Sequence, residues 1–123
     1  MKTQKNWFMP RKLSKILFDI RASIEGIEEF TKAKELKDYQ SSRMLRSAVE
    51  REYEIIGEAV RRLESEFPGV FSSLTNGRKI INFRNILIHA YDSVSDEVVW
   101  DTTIEDLPLL KTEIVKEIKN TND

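Results

Sequence analysis

The sequence predicts an all-α domain, an antiparallel bundle of four or five helices. Three observations carry that expectation. Apolar residues recur at three- and four-residue steps over most of the chain, the spacing that stacks side chains along one face of an α-helix. Charged residues make up 33% of the 123 positions and apolar ones 40%, with only 4 Gly and 3 Pro, which suits long helices with wet outer faces. No stretch alternates apolar and polar residues as a half-buried strand would. A chain this short makes one domain, here residues 1–123, and small domains bury a limited share of their surface, so pairing is a common source of stability.

The elements follow in order. Residues 1–11 are basic and without period and read as an arm. Leu13, Ile16, Leu17, Ile20, Ile24 and Ile27 form one apolar stripe, predicting a helix from about Leu13 to Phe30. Thr31 to Lys37 is charged and aperiodic, hence a loop. A second, longer helix is expected from Tyr39 to Glu66 and is stopped by Pro68 and Gly69. Phe67, Val70, Phe71 and Leu74 anchor an irregular connection, and Thr75-Asn76-Gly77 marks a turn. A third helix starts near Arg78 and carries Ile80, Ile81, Phe83, Ile86, Leu87 and Ile88. Asp92 to Asp96 breaks it, with Ser95 as N-cap of a short fourth helix through Trp100. Pro108 suits the first turn of a last helix using Leu110, Ile114, Val115 and Ile118, and Asn120 to Asp123 reads as a frayed tail.

Composition removes several kinds of chemistry. Without cysteine there is no disulfide framework, thiol nucleophile or thiolate metal site. With one histidine, a zinc site would rest on carboxylates, so no metal and no cofactor are expected. No signal peptide or membrane span is legible, which points to a cytoplasmic protein. A net charge of −1 argues against a general nucleic-acid coat and confines any such contact to a local basic cleft.

The chemistry concentrates in Arg84-Asn85-Ile86-Leu87-Ile88-His89-Ala90-Tyr91. At about 100° per residue, Asn82, Asn85 and His89 share the polar gap of the third helix. Arg84 and Tyr91 fall on one line inside the apolar arc, where a cation needs a partner or a cleft. Alone, each has a plain structural reading: an ion pair, a capping imidazole, a core-edge aromatic. Together they place a fixed cation, amides, the one imidazole and a phenol within eight residues.

The spacing Arg84-x-x-x-x-His89-x-Tyr91 resembles the signature of the HEPN superfamily, specifically its HepT-like toxins. Glu54-Ile55-Ile56-Gly57-Glu58-Ala59, Val98-Val99-Trp100 and Asp106-Leu107-Pro108 resemble that family as well, so the likeness covers nearly the whole chain. The resemblance implies a metal-independent ribonuclease that dimerises, with two copies of the motif around a shared cleft. It also implies a toxin–antitoxin pair in which a minimal nucleotidyltransferase inhibits the toxin by attaching AMP to the motif tyrosine, here Tyr91. Asp92 stands where many relatives carry a bulky apolar or aromatic residue, a departure that touches partner recognition.

In physical terms, RNA is cut without metal when its own 2′-hydroxyl attacks the neighbouring phosphate. An imidazole such as His89 serves as base or acid near neutrality, Arg84 offers two parallel hydrogen bonds to phosphate oxygens, and Asn85 positions phosphate or holds one His89 tautomer. Five-residue spacing sets Arg84 and His89 about 140° apart on an ideal helix. Either the helix ends near Ile88 and redirects His89, or a second copy completes the cleft, and both are expected to operate together. Glu52 falls within the apolar arc of the second helix and is expected to orient Arg84 or line the cleft, with Arg51 or Arg62 as alternative partners. Arg43, Arg46, Arg51, Arg78 and Lys79 serve to guide RNA or simply to solvate helix faces. A different class of function, a non-catalytic helical subunit that binds nucleotide or docks a nucleotidyltransferase, stays open, as does a plain dimerisation module that leaves the motif unexplained.

Overall fold

The computed structural model describes residues 10–89 and 94–122. The expected stripe folds as α1, Arg11–Thr31, which buries Leu13, Ile16, Leu17, Ile20, Ile24 and Ile27. The next segment differs from the expectation of one helix over Tyr39–Glu66. It forms a short α2, Leu36–Ser41, and then α3, Arg43–Glu66. Ser42 is the cause: its backbone is extended, and its side chain accepts a hydrogen bond from the Leu45 N–H at 3.0 Å, restarting the helix as an N-cap. Glu35 and Asp38 form a reciprocal capping box at the start of α2, within the segment read as loop. That turn fully buries Tyr39, whose ring lies 5.5 Å from Trp100.

The connection after Glu66 contains a single helical turn, α4, Pro68–Phe71, with proline at its start. The third expected helix is α5, Gly77–His89. Ser95 caps α6, Asp96–Asp101, accepting from the Glu97 and Val98 N–H groups. Here a second difference appears. Instead of breaking before Pro108, the chain passes through a π-helical turn, Thr102–Asp106, directly into α7, Leu107–Asn122. Proline has no N–H to donate and its ring crowds the carbonyl four residues back. Widening the preceding turn, with Leu107 N–H bonded to Thr102 O, lets the helix continue through it. The segment from Asn120, expected as a tail, is helical to Asn122.

Four long helices thus make the bundle, α1, α3, α5 and α7, with the short elements as corners. Ion pairs fix their directions. Lys12 near the start of α1 meets Glu66 at the end of α3, and Arg78 at the start of α5 meets Glu64 near the end of α3, so both pairs of neighbours run antiparallel. The core closes around Ile56, Val60 and Leu63 of α3 with Ile20, Ile24, Ile81 and Ile114. Tyr53 ties α3 to the π turn through a buried hydroxyl contact of 2.6 Å with Thr103. Among the described residues, no helix is long and apolar enough to cross a membrane.

Candidate functional site

The site is built where α5 crosses α3. A helix interior disfavours glycine by about 1 kcal/mol relative to alanine, yet α3 carries Gly57 there. A Cβ at Gly57 would stand 2.1 Å from Arg84 Cβ and 2.5 Å from its Cγ. Only a bare α-carbon lets the two helices approach so closely, and the approach lays the Arg84 stem across the backbone of α3.

From that position the Arg84 guanidinium is held on two sides. Its Nη2 lies 3.0 Å from Glu58 Oε1, and its Nη1 donates to Asn85 Oδ1 at 3.0 Å. Among the described residues its Nε is buried without a hydrogen-bond partner, and only 21% of the side chain is exposed. Glu58 is also gripped by a fork from Arg61, Nε to Oε1 at 3.3 Å and Nη2 to Oε2 at 2.8 Å. These hydrogen bonds from Arg61, with the charge of Arg84 adding to them, hold the Glu58 carboxyl below the ordinary carboxylate range. Arg84 and Glu58 open onto a cleft of about 300 Å³ shared with Asp19 of α1, Arg51, Glu54 and Arg62 of α3, and Ile88.

This arrangement corrects one expectation. The carboxylate that meets Arg84 is Glu58, not Glu52, because Glu52 faces the other neighbour of α3. It is half-buried against α1, its Cδ 3.5 Å from where a Gly26 Cβ would be. The alternative partners proposed for Glu52 are taken too, Arg51 by Glu54 at 3.5 Å and Arg62 by Glu66 at 3.6 Å. Glu58 and Gly57 were missed although both lie in the phrase that carried the family resemblance. A lone glycine in the middle of a long helix was the available signal, since it marks a close backbone approach or a packing constraint.

The structure brings Asn85 to Arg84, while His89 is not among the described residues that line the cleft. α5 is helical as far as His89, one residue past the end expected near Ile88. Ile88, one turn after Arg84, lines the cleft; His89 is exposed on another face, as the angle of about 140° between positions five apart requires. Tyr91 lies outside the described residues. Of the basic residues, Arg46 donates to the Gln40 and Tyr39 carbonyls, Arg51 pairs with Glu54, Arg78 with Glu64, and Lys79 with Asp106 at 2.8 Å, while Arg43 is exposed. Among the described residues, no group of three or more His, Asp or Glu is placed to hold a metal ion.

The Glu58 link has a measurable pH signature. A carboxyl whose folded pKa is depressed contributes stability that is complete above its unfolded pKa and is lost as pH falls through the folded value. Glu58→Gln is expected to flatten the acid limb of a thermal-stability profile relative to wild type. At neutral pH the variant should cost only about 1 kcal/mol, because the pair is partly solvated. An unchanged acid limb would mean that the link contributes nothing to folding.

An antiparallel helical bundle with Arg-x₄-His at the end of one helix agrees with the resemblance to HEPN domains noted in the sequence. The chain belongs to the ribonuclease HepT-like family, whose model matches residues 20–117. It is 37% identical over 108 residues to the "Probable ribonuclease HepT" of Thermococcus cleftensis, covering 88% of this chain and 97% of that protein. It is 35% identical over 104 residues to MJ1380 of Methanocaldococcus jannaschii, whose name marks it a candidate RNase, covering 85% and 94%. A longer protein of the same archaeon, MJ0434, whose name joins a gamma-glutamylcyclotransferase to a candidate RNase, is 40% identical over 97 residues. That match covers 79% of this chain and 43% of MJ0434. No solved structure matches at a comparable level.

Proposed function

We propose that this chain is a metal-independent endoribonuclease, acting as a homodimer and serving as the toxin of a toxin–antitoxin pair in the cytoplasm. The observation that supports it best is the Arg84 guanidinium, held at a cleft by Glu58 and Asn85, with an exposed imidazole on the same helix. Arg84 keeps N–H groups beyond the two it uses, and a guanidinium presents five in a fixed fork matched to phosphate. On a phosphodiester, the RNA 2′-oxygen bonds to phosphorus as the bond from phosphorus to the 5′-oxygen breaks, leaving a 2′,3′-cyclic phosphate. One imidazole takes the 2′-hydroxyl proton and a second gives a proton to the leaving 5′-oxygen. Arg84 stabilises the charge on the phosphorane oxygens, and Asn85 holds Arg84 to that task.

One α5 cannot turn Arg84 and His89 to the same phosphate. A two-fold pairing of copies solves this, since it sets the motif of one subunit against that of the other and supplies two imidazoles. Tyr91, two residues after His89, is the acceptor of AMP from a minimal nucleotidyltransferase, which silences the enzyme beside its own imidazole. The purified protein is expected to cleave RNA with EDTA present and to leave cyclic phosphate ends. Co-expression with the nucleotidyltransferase should add the mass of AMP to the peptide containing Tyr91 and abolish cleavage. A cleavage product with a 3′-hydroxyl, or activity lost to EDTA, would overturn the chemistry; an adduct on another residue would overturn the role of Tyr91.

A further inference from the structure

The face of α5 that carries His89 is continuous with a groove separate from the Arg84 cleft. Lys79, Asn82, Ile86 and His89 follow one another at steps of three, four and three, which places them on one stripe of the helix. The first three line a groove of about 570 Å³ between α5 and the segment formed by α6 and the π turn. His89 stands one turn beyond Ile86 on the same stripe, past the end of the groove's lining.

We propose that this groove binds a nucleotide of single-stranded RNA adjacent to the bond being cut. The inference rests on the ribonuclease reading and gives it a substrate-binding subsite. The groove is of the size that encloses small ligands. Ile86 and Val98 line it and expose 47% and 51% of their surface, large apolar contacts left to solvent on which a base can lie. Asn76 and Asn82 place side-chain amides in the same wall, and amides pair with base edges through both a donor and an acceptor. Arg78 and Lys79 line the groove and are more than half exposed, paired with Glu64 and Asp106, and a backbone phosphate competes with those carboxylates for them.

The test measures binding rather than turnover. In a His89→Ala background, affinity for a short fluorescein-labelled single-stranded RNA is read by anisotropy, with Val98→Trp to fill the groove and Asn82→Ala to remove an amide. Both positions are exposed, so each variant should fold. Removing one base contact weakens binding by about tenfold or more, and Val98→Trp should do so with its oligomeric state unchanged by light scattering. Equal affinity in both variants and their parent would overturn the proposal. So would a change of oligomeric state in Val98→Trp, which would make the groove an interface between copies. If the His89→Ala parent binds no RNA, and the wild type cleaves none, the ribonuclease reading itself fails, an outcome distinct from a groove that RNA ignores.

Discussion

Gly57→Ala is expected to destabilise the protein by about 3 kcal/mol and to abolish RNA cleavage, although alanine is the better helix former by about 1 kcal/mol. The sign is the informative part. At an unconstrained helix position the substitution would stabilise. Here the added carbon would lie 2.1 Å from Arg84 Cβ, and Cβ is fixed to the backbone, so no rotamer change relieves the clash. α5 must move away from α3, which opens the packing of Tyr53 against Phe83, whose rings meet edge-on at 5.1 Å. The same movement carries the guanidinium away from Glu58. Urea unfolding and cleavage of a labelled RNA measure the two consequences separately. A variant that is more stable than wild type and fully active would show that the helices do not meet as described.

The second large effect concerns the two halves of the motif. Arg84→Ala should lower the rate of RNA cleavage by about 10²- to 10³-fold, the range found when one fixed donor to a developing oxyanion is lost. His89→Ala should lower it by about 10²- to 10⁴-fold, as for the loss of a general acid or base. Their effects on folding should differ. His89 is exposed at the end of α5, so its removal should leave the thermal midpoint nearly unchanged. Arg84 is largely covered and leaves Glu58 to Arg61 alone when removed, so a modest loss of stability is expected. Cleavage that persists in His89→Ala, after contaminating nuclease is ruled out by an inactive Arg84→Ala purified in parallel, would refute the role of the imidazole.

Much of the fold was legible because it depends on local pattern. The stripe from Leu13 to Ile27 has a single solution in a helical chain, and Ser95 before an apolar run is a strong cap signal. The misreadings came from residues with two local meanings. Ser42 inside a periodic segment reads either as a tolerated helical serine or as a new N-cap, and only the backbone decides between them. Pro108 reads as a start signal, and the π turn that lets a helix run through it leaves no mark in the apolar spacing. The site was legible in composition and not in pairing. Helical spacing showed that Arg84 needed a partner or a cleft, but whether it meets Glu52 or Glu58 depends on which neighbour each face of α3 meets. Glu52 turns to α1 and the space above Gly26, while Glu58 turns to α5. That inter-helix register is a tertiary property and cannot be read from one helix at a time.

The separation of Arg84 and His89 on α5 makes the shared dimer cleft the central claim, and it can be tested by mixing subunits. Wild type and His89→Ala are unfolded together in equal amounts, refolded as a mixture, and assayed after native mass spectrometry has established that mixed dimers form. If the cleft uses the imidazoles of both subunits, one as base and one as acid, a mixed dimer with a single His89 is crippled. A statistical mixture should then keep about a quarter of the cleavage of the same amount of wild type, because only about a quarter of the dimers carry two imidazoles. Cleavage at about half of the wild-type level, with mixed dimers formed in full yield, would show that each subunit works without its partner's imidazole.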